Sequence, residues 1–321
     1  MSTLFLKTLM QRHGPRPRPR PAIGLDIGTA AVKAVAIDTR RQPPVLQGQA
    51  IVPLAETQTP PEAIRAAVRR VARRPGPIGT AIRANEAITR RVQVPQGLSD
   101  KALAAQVSMA AETELHQPWH ALHHDFRVIG PSQDATPASR RLLDVMLVAA
   151  RRPVVEARLQ ALHAAGLQCA LVDIEPHALA RTLALAGAGQ DLARAHAIID
   201  AGAGALRLHV IAAGEPIHGQ DHPLATDTSL DGLIERALAV YQGLPDARPL
   251  DHLWLTGGQW TPARAERLAQ RLPGGASMLD PGSRLTAGTD AAAHTIASHL
   301  PRLATAIGLA LHAGDADAHW R

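Results

Sequence analysis

The sequence predicts an α/β fold made of two related halves. Apolar strands alternate with helices along most of the chain, which is typical of a mainly parallel or mixed sheet covered by helices. A segment near the start, IGLDIGTAAVKAVAID at residues 23–38, is echoed by AIIDAGAGALRLHVIAAG at residues 197–214. Each copy places an acid, Asp26 or Asp200, and small residues with Gly between two strands, and the acids lie about half the chain apart. This echo indicates two α/β halves that face each other.

The composition indicates a globular protein of a reducing compartment. The chain has 321 residues, of which 46% are hydrophobic, enough for a substantial core and about two domains. Its single cysteine, Cys169, excludes an internal disulfide and a Cys-based zinc site. No run of the sequence approaches 18 apolar residues, so we expect no membrane span and a cytoplasmic location.

The net charge of +6 does not by itself indicate a nucleic-acid-binding protein. Only 2% of the residues are Phe, Trp or Tyr, which leaves few side chains to stack on bases. An Arg- and Ala-rich composition is also typical of a GC-rich genome. We therefore expect no nucleic-acid partner.

The first 21 residues are predicted to form a flexible, basic tail. The tract GPRPRPRP at residues 14–21 favours extended polyproline II and cannot pack a core. It separates the body from an apolar tip at residues 4–10, which is either an amphipathic helix for a membrane or partner surface or a frayed terminus.

The remaining elements follow from apolar patterning and from capping residues. Ser99, followed by Asp100, is a typical helix start, and Pro176 favours the first turn of a helix. The predicted strands are 23–26, 31–37, about 45–53, 80–95 (strand, turn, strand), 120–130, 140–150, 169–174, two within 195–214, one after GEPIH at 214–218, and 250–256. The predicted helices are 61–73, 99–115, 153–165 and 176–186.

The pattern Asp-x-Gly between two strands predicts a phosphate-binding turn. A turn built from small residues lets backbone N–H groups approach a phosphate closely, and Gly28 with Thr29 and Gly202 with Gly204 satisfy that requirement. Asp26 and Asp200 would hold Mg²⁺, mostly through water, because this ion keeps several of its waters. The alternative for either segment alone is a plain β-hairpin whose buried Asp caps backbone amides.

Three further features belong to the same prediction. Lys33 follows the first turn and either reaches a phosphate or lies on a solvated face. Glu175 ends a strand and is a candidate for orienting water near a terminal phosphate, or a helix-start acid that favours the dipole. Gly257 and Gly258 follow an apolar strand and offer bare backbone for a flat group such as adenine, or form an ordinary strand-to-helix connection.

These motifs occur in the order of the phosphate-1, connect-1, phosphate-2 and adenosine motifs of the actin and sugar-kinase superfamily. Within it the sequence resembles the PilM family, actin-like proteins of type IV pilus assembly. The resemblance rests on IGLDIGTAAVKAVAID, on ITRRVQVPQGLSDKALAAQVSMAAE, on the block from LLDVMLVAA to DIEPHALAR and on LATAIGLALHA, and it spans roughly residues 22–312.

The resemblance implies an actin-like ATPase fold: two halves resembling RNase H, a nucleotide cleft between them and an inserted subdomain 1C like that of the cell-division protein FtsA. It implies subdomain 1A at residues 22–78 and 151–187, subdomain 1C at 79–150, and a second half at 188–321 with a small 2B insertion around 222–250. ATP with Mg²⁺ is the implied ligand, with Gly232 and Glu235 on the ribose side.

The resemblance also implies a partner, the cytoplasmic N-terminus of a PilN-like membrane protein, so that membrane association is indirect. Other pilus platform proteins are further candidate partners. The second turn lacks the hydroxyl side chains usual in the family, so we expect nucleotide binding with slow or absent hydrolysis. An FtsA-like or type II secretion component and a small-molecule kinase of the same superfamily are the alternatives.

Overall fold

The structure is a computed structural model that describes residues 20–57, 59–115, 118–132, 141–189, 194–225, 229–271, 274–287 and 300–315. The predicted N-terminal tail lies outside these residues, except for Arg20 and Pro21. Within the described residues, no helix has both the length and the hydropathy needed to cross a membrane. The predicted strands and helices are observed, with ends that differ by a few residues, whereas the helices at residues 230–242, 262–271 and 304–314 and the short strands at 276–278 and 286–287 were not predicted.

The first half is a mixed sheet of six strands in the order β14-β3-β2-β1-β4-β8. β1 pairs antiparallel with β2 and parallel with β4. Helices α1 and α3 pack on one face of this sheet, and α7 packs on the other. The elements are β1 (Ala22–Ile27), β2 (Ala31–Asp38), β3 (Val45–Pro53), α1 (Pro60–Val71), β4 (Ile78–Ile82), α3 (Arg152–Ala164), β8 (Leu171–Ile174), α4 (Glu175–Leu185), β14 (Thr286–Ala287) and α7 (Ala304–Gly314).

The second half is a sheet of five strands in the order β11-β10-β9-β12-β13. Helices α5 and α6 cover one face, while α4 and the start of α7 cover the other. Helix α4 therefore lies between the two halves and contacts both. The elements are β9 (Ala195–Ala201), β10 (Ala205–Ala212), β11 (Glu215–Pro223), α5 (Leu230–Gln242), β12 (Leu250–Gly257), α6 (Pro262–Arg271) and β13 (Ala276–Met278).

The third unit is a separate antiparallel sheet in the order β5-β7-β6, with α2 packed against it. It is inserted between β4 and α3 and consists of β5 (Ala87–Pro95), α2 (Asp100–Leu115), β6 (Leu122–Pro131) and β7 (Leu142–Arg151). We refer to it as the inserted sheet. The boundary predicted at residue 79 falls inside β4, which pairs with β1 and β8 of the first half. A subdomain division drawn from these strands starts the inserted unit after Ile82.

The chain returns to the first half near its end, although the predicted division gave residues 188–321 to the second half. β14 pairs parallel with β3, and α7 lies directly on β1. The contact with β1 is so close that a Cβ added at Gly24 would lie 1.7 Å from the carbonyl oxygen of Ala306. On its other side, α7 meets α4, where a Cβ at Gly308 would lie 1.8 Å from the carbonyl oxygen of Ala178. Glycines at these two positions let the strand and the two helices approach backbone to backbone.

One buried histidine gives the fold a pH dependence. His209 on β10 is fully buried, and neither of its ring nitrogens has a hydrogen-bond partner among the described residues. Burial, together with the nearby Arg207, lowers the pKa of His209 to about 3. The unfolded chain protonates this side chain below about pH 6.5. The unfolded state therefore binds more protons between these values, and His209 makes the free energy of unfolding fall as the pH is lowered from about 6.5 to 3.

His209→Leu is expected to raise the free energy of unfolding, because it removes a buried polar ring without hydrogen bonds. It should also flatten the decline below pH 6.5 by up to about 1.4 kcal/mol per pH unit. Urea unfolding at pH 4, 5, 6 and 7 measures both effects. His163→Leu, a change at an exposed position of α3, is the control and should keep the wild-type slope. Parallel pH profiles for His209→Leu and the wild type would contradict this account of His209.

Candidate functional site

The turn between β1 and β2 holds an ion pair rather than a solvated lysine. The N–H of Gly28 donates to the carbonyl of Ala31 at 3.1 Å and closes the turn. Asp26 and Lys33 are cross-strand partners, and the Lys33 Nζ lies 3.0 Å from Asp26 Oδ2. The Lys33 side chain is 21% exposed, so the predicted alternative of a solvated face is wrong. Burial lowers the pKa of Lys33, but Asp26, Asp200 and Glu175 outweigh it and raise the pKa above its ordinary value.

The turn between β9 and β10 repeats this construction in the second half. The N–H of Gly202 donates to the carbonyl of Ala205 at 3.0 Å. Asp200 faces Arg207 across the strands, and Arg207 Nη1 lies 3.3 Å from Asp200 Oδ2. Each half thus carries an acid, a glycine turn and a cation seven residues after the acid. The sequence prediction did not include Arg207, although the internal echo aligns it with Lys33.

The two turns lie against each other. A Cβ added at Gly204 would be 3.3 Å from the Thr29 hydroxyl, so these residues meet across the boundary between the halves. The amides of Gly28 and Gly202 are engaged inside their own turns. An anion at these turns could therefore be bound only by the other backbone N–H groups at their tips, which stays a prediction.

Arg207 lies close to carboxyl groups from several elements. Its Nε lies 3.7 Å from Glu175, at the start of α4, and 3.6 Å from Asp221 on β11. Burial raises the pKa of Glu175 to about 8; Arg207 opposes this shift, and the nearby Asp26, Asp200 and Asp221 add to it. Glu175 is therefore largely protonated at neutral pH. The structure brings together four of the predicted residues, Asp26, Lys33, Glu175 and Asp200, and adds Arg207 and Asp221.

This group, which we call the acidic cluster, has no spare positive charge. It contains four carboxyl groups (Asp26, Glu175, Asp200 and Asp221) against the two cations Lys33 and Arg207, and Arg83 lies near Asp221. Even with Glu175 protonated, three carboxylates remain, and the three cations Lys33, Arg207 and Arg83 only balance their charge. A triphosphate would therefore need an added cation to approach.

The charge balance fits a hydrated Mg²⁺. This ion is usually held by one or two carboxylates, its own waters and phosphate oxygens. Within the described residues, no group of three or more His, Cys, Asp or Glu side chains is arranged to hold a metal directly. Asp26 and Asp200, one from each turn, suit indirect binding of this kind.

The predicted adenine-side glycines have a structural role of their own. Gly257 has φ of +98°, and a Cβ there would lie 2.3 Å from the Ala201 carbonyl and 2.7 Å from the Asp200 carboxylate. The side of Gly257 that lacks a side chain therefore faces β9 rather than open space. The N–H of Gly258 donates to the same Ala201 carbonyl at 2.9 Å, and Arg302 lies near Gly258. A contact of these glycines with adenine stays a prediction.

The predicted ribose-side residues lie on α5. Gly232 is in the first turn, where its N–H donates to the Ser229 hydroxyl at 3.3 Å, and Glu235 follows it on the same helix. Helix α5 covers the face of the second sheet opposite to α4. A ribose contact of Gly232 and Glu235 stays a prediction.

A second concave feature lies where the inserted sheet joins the first half. This cavity of about 540 Å³, which we call the α3 groove, is lined by Val154, Ala157, Arg158 and Ala161 of α3 together with Glu86 and Arg151, among others. Its lining consists of small and apolar side chains of α3 together with two arginines and one acid. The sequence prediction did not identify this groove, because its walls come from segments far apart in the chain.

A third cavity, of about 490 Å³, lies where α4 and α7 meet the second half and the inserted sheet. Several charged side chains at this cavity form ion pairs. Asp173 accepts hydrogen bonds from Arg181 at 2.5 Å and from His312 at 2.8 Å, and Arg127 of the inserted sheet contacts Glu215 of β11. The Arg127–Glu215 pair connects the inserted sheet with the second half, and the Asp173 pairs connect β8, α4 and α7 within the first half.

The chain is similar to known proteins in sequence and in structure. Residues 24–233 match a family model described as type IV pilus assembly protein PilM. Among solved structures, the chain is similar to a PilM-PilN type IV pilus biogenesis complex, with a TM-score of 0.72 and 22% identity over 92% of this chain and 100% of that chain. It is also similar to the ethanolamine utilization protein EutJ from Carboxydothermus hydrogenoformans, with a TM-score of 0.49 and 16% identity over 92% of this chain and 91% of that chain. The cytoplasmic domain of EpsL from the type II secretion system of Vibrio cholerae matches with a TM-score of 0.45 and 13% identity, and the match covers 74% of this chain and 83% of that chain.

Proposed function

The chain belongs to the PilM family of type IV pilus assembly proteins, and from this membership we propose that it is an actin-like, nucleotide-binding scaffold that binds the cytoplasmic N-terminus of a PilN-like membrane protein. The proposal of nucleotide binding rests on the pair of equivalent turns, each with an acid and a cation, that face each other across the two halves. The family match favours this role over the cell-division, secretion and small-molecule kinase alternatives.

The proposed ligand is ATP with Mg²⁺. The turn-tip amides around Thr29 and Gly204 would hold phosphate oxygens, and Asp26 and Asp200 would hold the ion through its waters. The bound Mg²⁺ would supply the positive charge that the acidic cluster lacks. Gly232 and Glu235 are proposed for the ribose side, and Gly257 and Gly258 for the adenine side.

We propose slow or absent hydrolysis. A residue that activates water must accept a proton, and the best catalytic pKa lies near the working pH with the base ionised. Glu175 is the candidate for this task, but its raised pKa of about 8 keeps it largely protonated at neutral pH. Its carboxyl also lies next to Arg207. The site therefore favours holding a nucleotide over cleaving it.

For the partner, we propose that its N-terminal segment binds in the α3 groove. The groove combines a wall of small apolar side chains with two arginines, Arg151 and Arg158, and one acid, Glu86. This chemistry suits a short segment with apolar side chains and a carboxylate or backbone carbonyl groups. Binding there would hold the protein at the inner membrane through its partner.

Asp26→Ala tests the nucleotide site. Calorimetry with ATP and Mg²⁺ should show affinity at least about tenfold lower than in the wild type, because the variant loses one of the two carboxylates proposed for the ion. Asp251→Ala is the matched control: Asp251 is also ion-paired, with Arg194 at 2.5 Å, but on the opposite end of β12 from the turns. Equal ATP binding by Asp26→Ala and the wild type would rule out this role of Asp26.

Ala157→Asp tests the α3 groove. The new charge should weaken binding of a synthetic peptide with the N-terminal sequence of the PilN-like protein from the same organism by at least about tenfold, since the peptide would bury that charge. Gln160→Asp, on an exposed position of the same helix, should bind as the wild type does. Fluorescence anisotropy measures both. Undiminished binding by Ala157→Asp would place the peptide elsewhere, and no binding by the wild type would remove the partner proposal.

A further inference from the structure

Exposed arginines are concentrated at one end of the first half. The N–H of Gly76, which follows α1, donates to the carbonyl of Pro21 at 2.9 Å and so places the end of α1 beside the start of β1. The end of β2 lies there too, because Ile37 pairs with Ala22. The exposed arginines of these three segments, which we call the basic end, are Arg20, Arg40, Arg41, Arg69, Arg70, Arg73 and Arg74.

Most of the charge of the basic end is not neutralised by described neighbours. Asp38 pairs with Arg40 at 2.7 Å and with Arg41 at 3.9 Å. A second acid, Asp315, is exposed next to Gly314, whose carbonyl accepts a hydrogen bond from the Thr39 hydroxyl at 3.1 Å. The other arginines of the basic end form no ion pair with a carboxylate of the described residues. Their charge is available to an anionic surface.

The segment that precedes β1 has the same chemistry and adds apolar side chains. Residues 1–21 contain five Lys or Arg residues and no acid, and the apolar tip at residues 4–10 has the sequence LFLKTLM. Arg20 and Pro21, the last two residues of this segment, lie at the basic end. A polybasic surface attracts anionic lipid head groups, and an adjoining apolar segment buries its side chains among the acyl chains.

We infer that the basic end and residues 1–21 together form a binding surface for an anionic lipid bilayer. This contact is direct, in addition to the indirect association through the partner, and it requires neither partner nor nucleotide. A nucleic acid fits less well, because it offers the apolar tip no apolar surface. The basic end is also remote from the first phosphate turn, since β1 runs from Ala22 at the basic end to Ile27 at the turn. A protein bound in this way keeps that turn away from the bilayer.

Each of the two contributions is weak alone. A short apolar segment binds a bilayer only reversibly, and exposed charges act within about a Debye length of the head groups. Stable binding therefore needs both, and the loss of either should lower the affinity for vesicles by a large factor.

Vesicle flotation of the full chain, without partner peptide or nucleotide, tests the basic end. We expect affinity for vesicles of phosphatidylglycerol and phosphatidylcholine in equal parts to be at least about tenfold higher than for phosphatidylcholine alone, and to fall with added salt. The triple variant Arg70→Gln, Arg73→Gln, Arg74→Gln should bind the mixed vesicles at least about tenfold more weakly. A control triple variant removes the same charge from exposed arginines of the inserted sheet and the second half and should bind as the wild type does; its changes are Arg90→Gln, Arg236→Gln and Arg267→Gln.

The double variant Phe5→Ser, Leu9→Ser tests the apolar tip and keeps every charge. It should also bind the mixed vesicles at least about tenfold more weakly, because two large apolar side chains no longer enter the bilayer. Thermal unfolding should be the same for all variants and the wild type, since the changed arginines are exposed.

Equal affinity of the wild type for the two kinds of vesicle, or undiminished binding by either the arginine or the tip variant, would overturn the inference. Binding of duplex DNA in place of vesicles, with the same loss in the triple arginine variant, would overturn it as well and would assign the basic end to nucleic acid. The proposals for nucleotide and partner binding do not depend on these outcomes, because the vesicle measurements contain neither ligand.

Discussion

Gly308→Ala is expected to destabilise the protein by more than about 4 kcal/mol, an exceptional loss for a single methyl group. In an ordinary helix the same change gains about 1 kcal/mol, because alanine is the better helix former. At Gly308 the added Cβ would lie 1.8 Å from the carbonyl oxygen of Ala178, so α7 and α4 must separate. Both helices are buried at this contact and cannot shift without opening the layer between the two halves. Urea and thermal unfolding measure the loss.

Gly232→Ala is the control for this prediction. Gly232 is also helical, in α5, but a Cβ there would meet Ser229 at an ordinary distance of 3.7 Å. The free energy of unfolding should therefore stay the same or rise by up to about 1 kcal/mol. If the change from Gly to Ala lowers the free energy of unfolding in α7 and raises it in α5, close packing rather than helix propensity explains the loss at Gly308. A Gly308→Ala protein as stable as Gly232→Ala would show that α7 and α4 do not meet as described.

Arg207→Met is expected to cost about 3–5 kcal/mol of folding stability. The Arg207 side chain is 13% exposed and lies within 3.7 Å of carboxyl oxygens of Glu175, Asp200 and Asp221. Methionine fills a similar volume but leaves these three groups without their shared cation. Such a loss is the expected result of removing one partner from a buried charge network. Chemical denaturation at pH 7 measures it, and a loss below about 1 kcal/mol would mean that Arg207 is not essential to this balance.

The double variant Arg207→Met, Asp200→Asn should recover part of that loss. Asparagine cannot ionise, so it relieves repulsion among the remaining carboxylates, whereas Glu175→Gln should recover little, because Glu175 is already largely protonated at neutral pH. The coupling energy from the four-protein cycle isolates the Arg207–Asp200 term, provided that each single variant folds. Lys33→Met, in which Asp26 loses its own partner, should not be rescued by Asp200→Asn to the same extent, because Lys33 contacts Asp26 directly at 3.0 Å.

Local structure was largely predictable from the sequence. β1, β2 and β3 follow from apolar runs, and α1, α2 and α4 start at Thr59, Ser99 and a Glu-Pro pair, all of which are local signals. Membership of a sheet is a different matter, because it depends on pairing between distant segments. The sequence predicts that β4 and β5 form one strand-turn-strand unit, yet β4 pairs with β1 and β8. The helix at the end of the chain is apolar on every side, and that composition does not tell which half it covers.

For the site, the internal echo identified the acids, and the same echo aligns Arg207 with Lys33. Arg207 was missed because a charged residue in a strand reads as solvent-exposed until the opposite strand and α4 are known to cover it. Gly257 was predicted as a site residue because it is followed by a second glycine, Gly258, in the sequence. Its positive φ and its contact with Ala201 depend on the register of β12 against β9.

The return of the chain to its first sheet has a consequence for synthesis. During translation, domains usually fold in order as they leave the ribosome. Here β1 has one face covered by α7, which is made more than 260 residues later, so the first half stays incomplete while the rest is synthesised. The nascent first sheet would expose the apolar surface that Val35 and Ile37 otherwise bury against α7. A chain released after residue 189 would therefore be a target for chaperones or proteases rather than a stable half-protein.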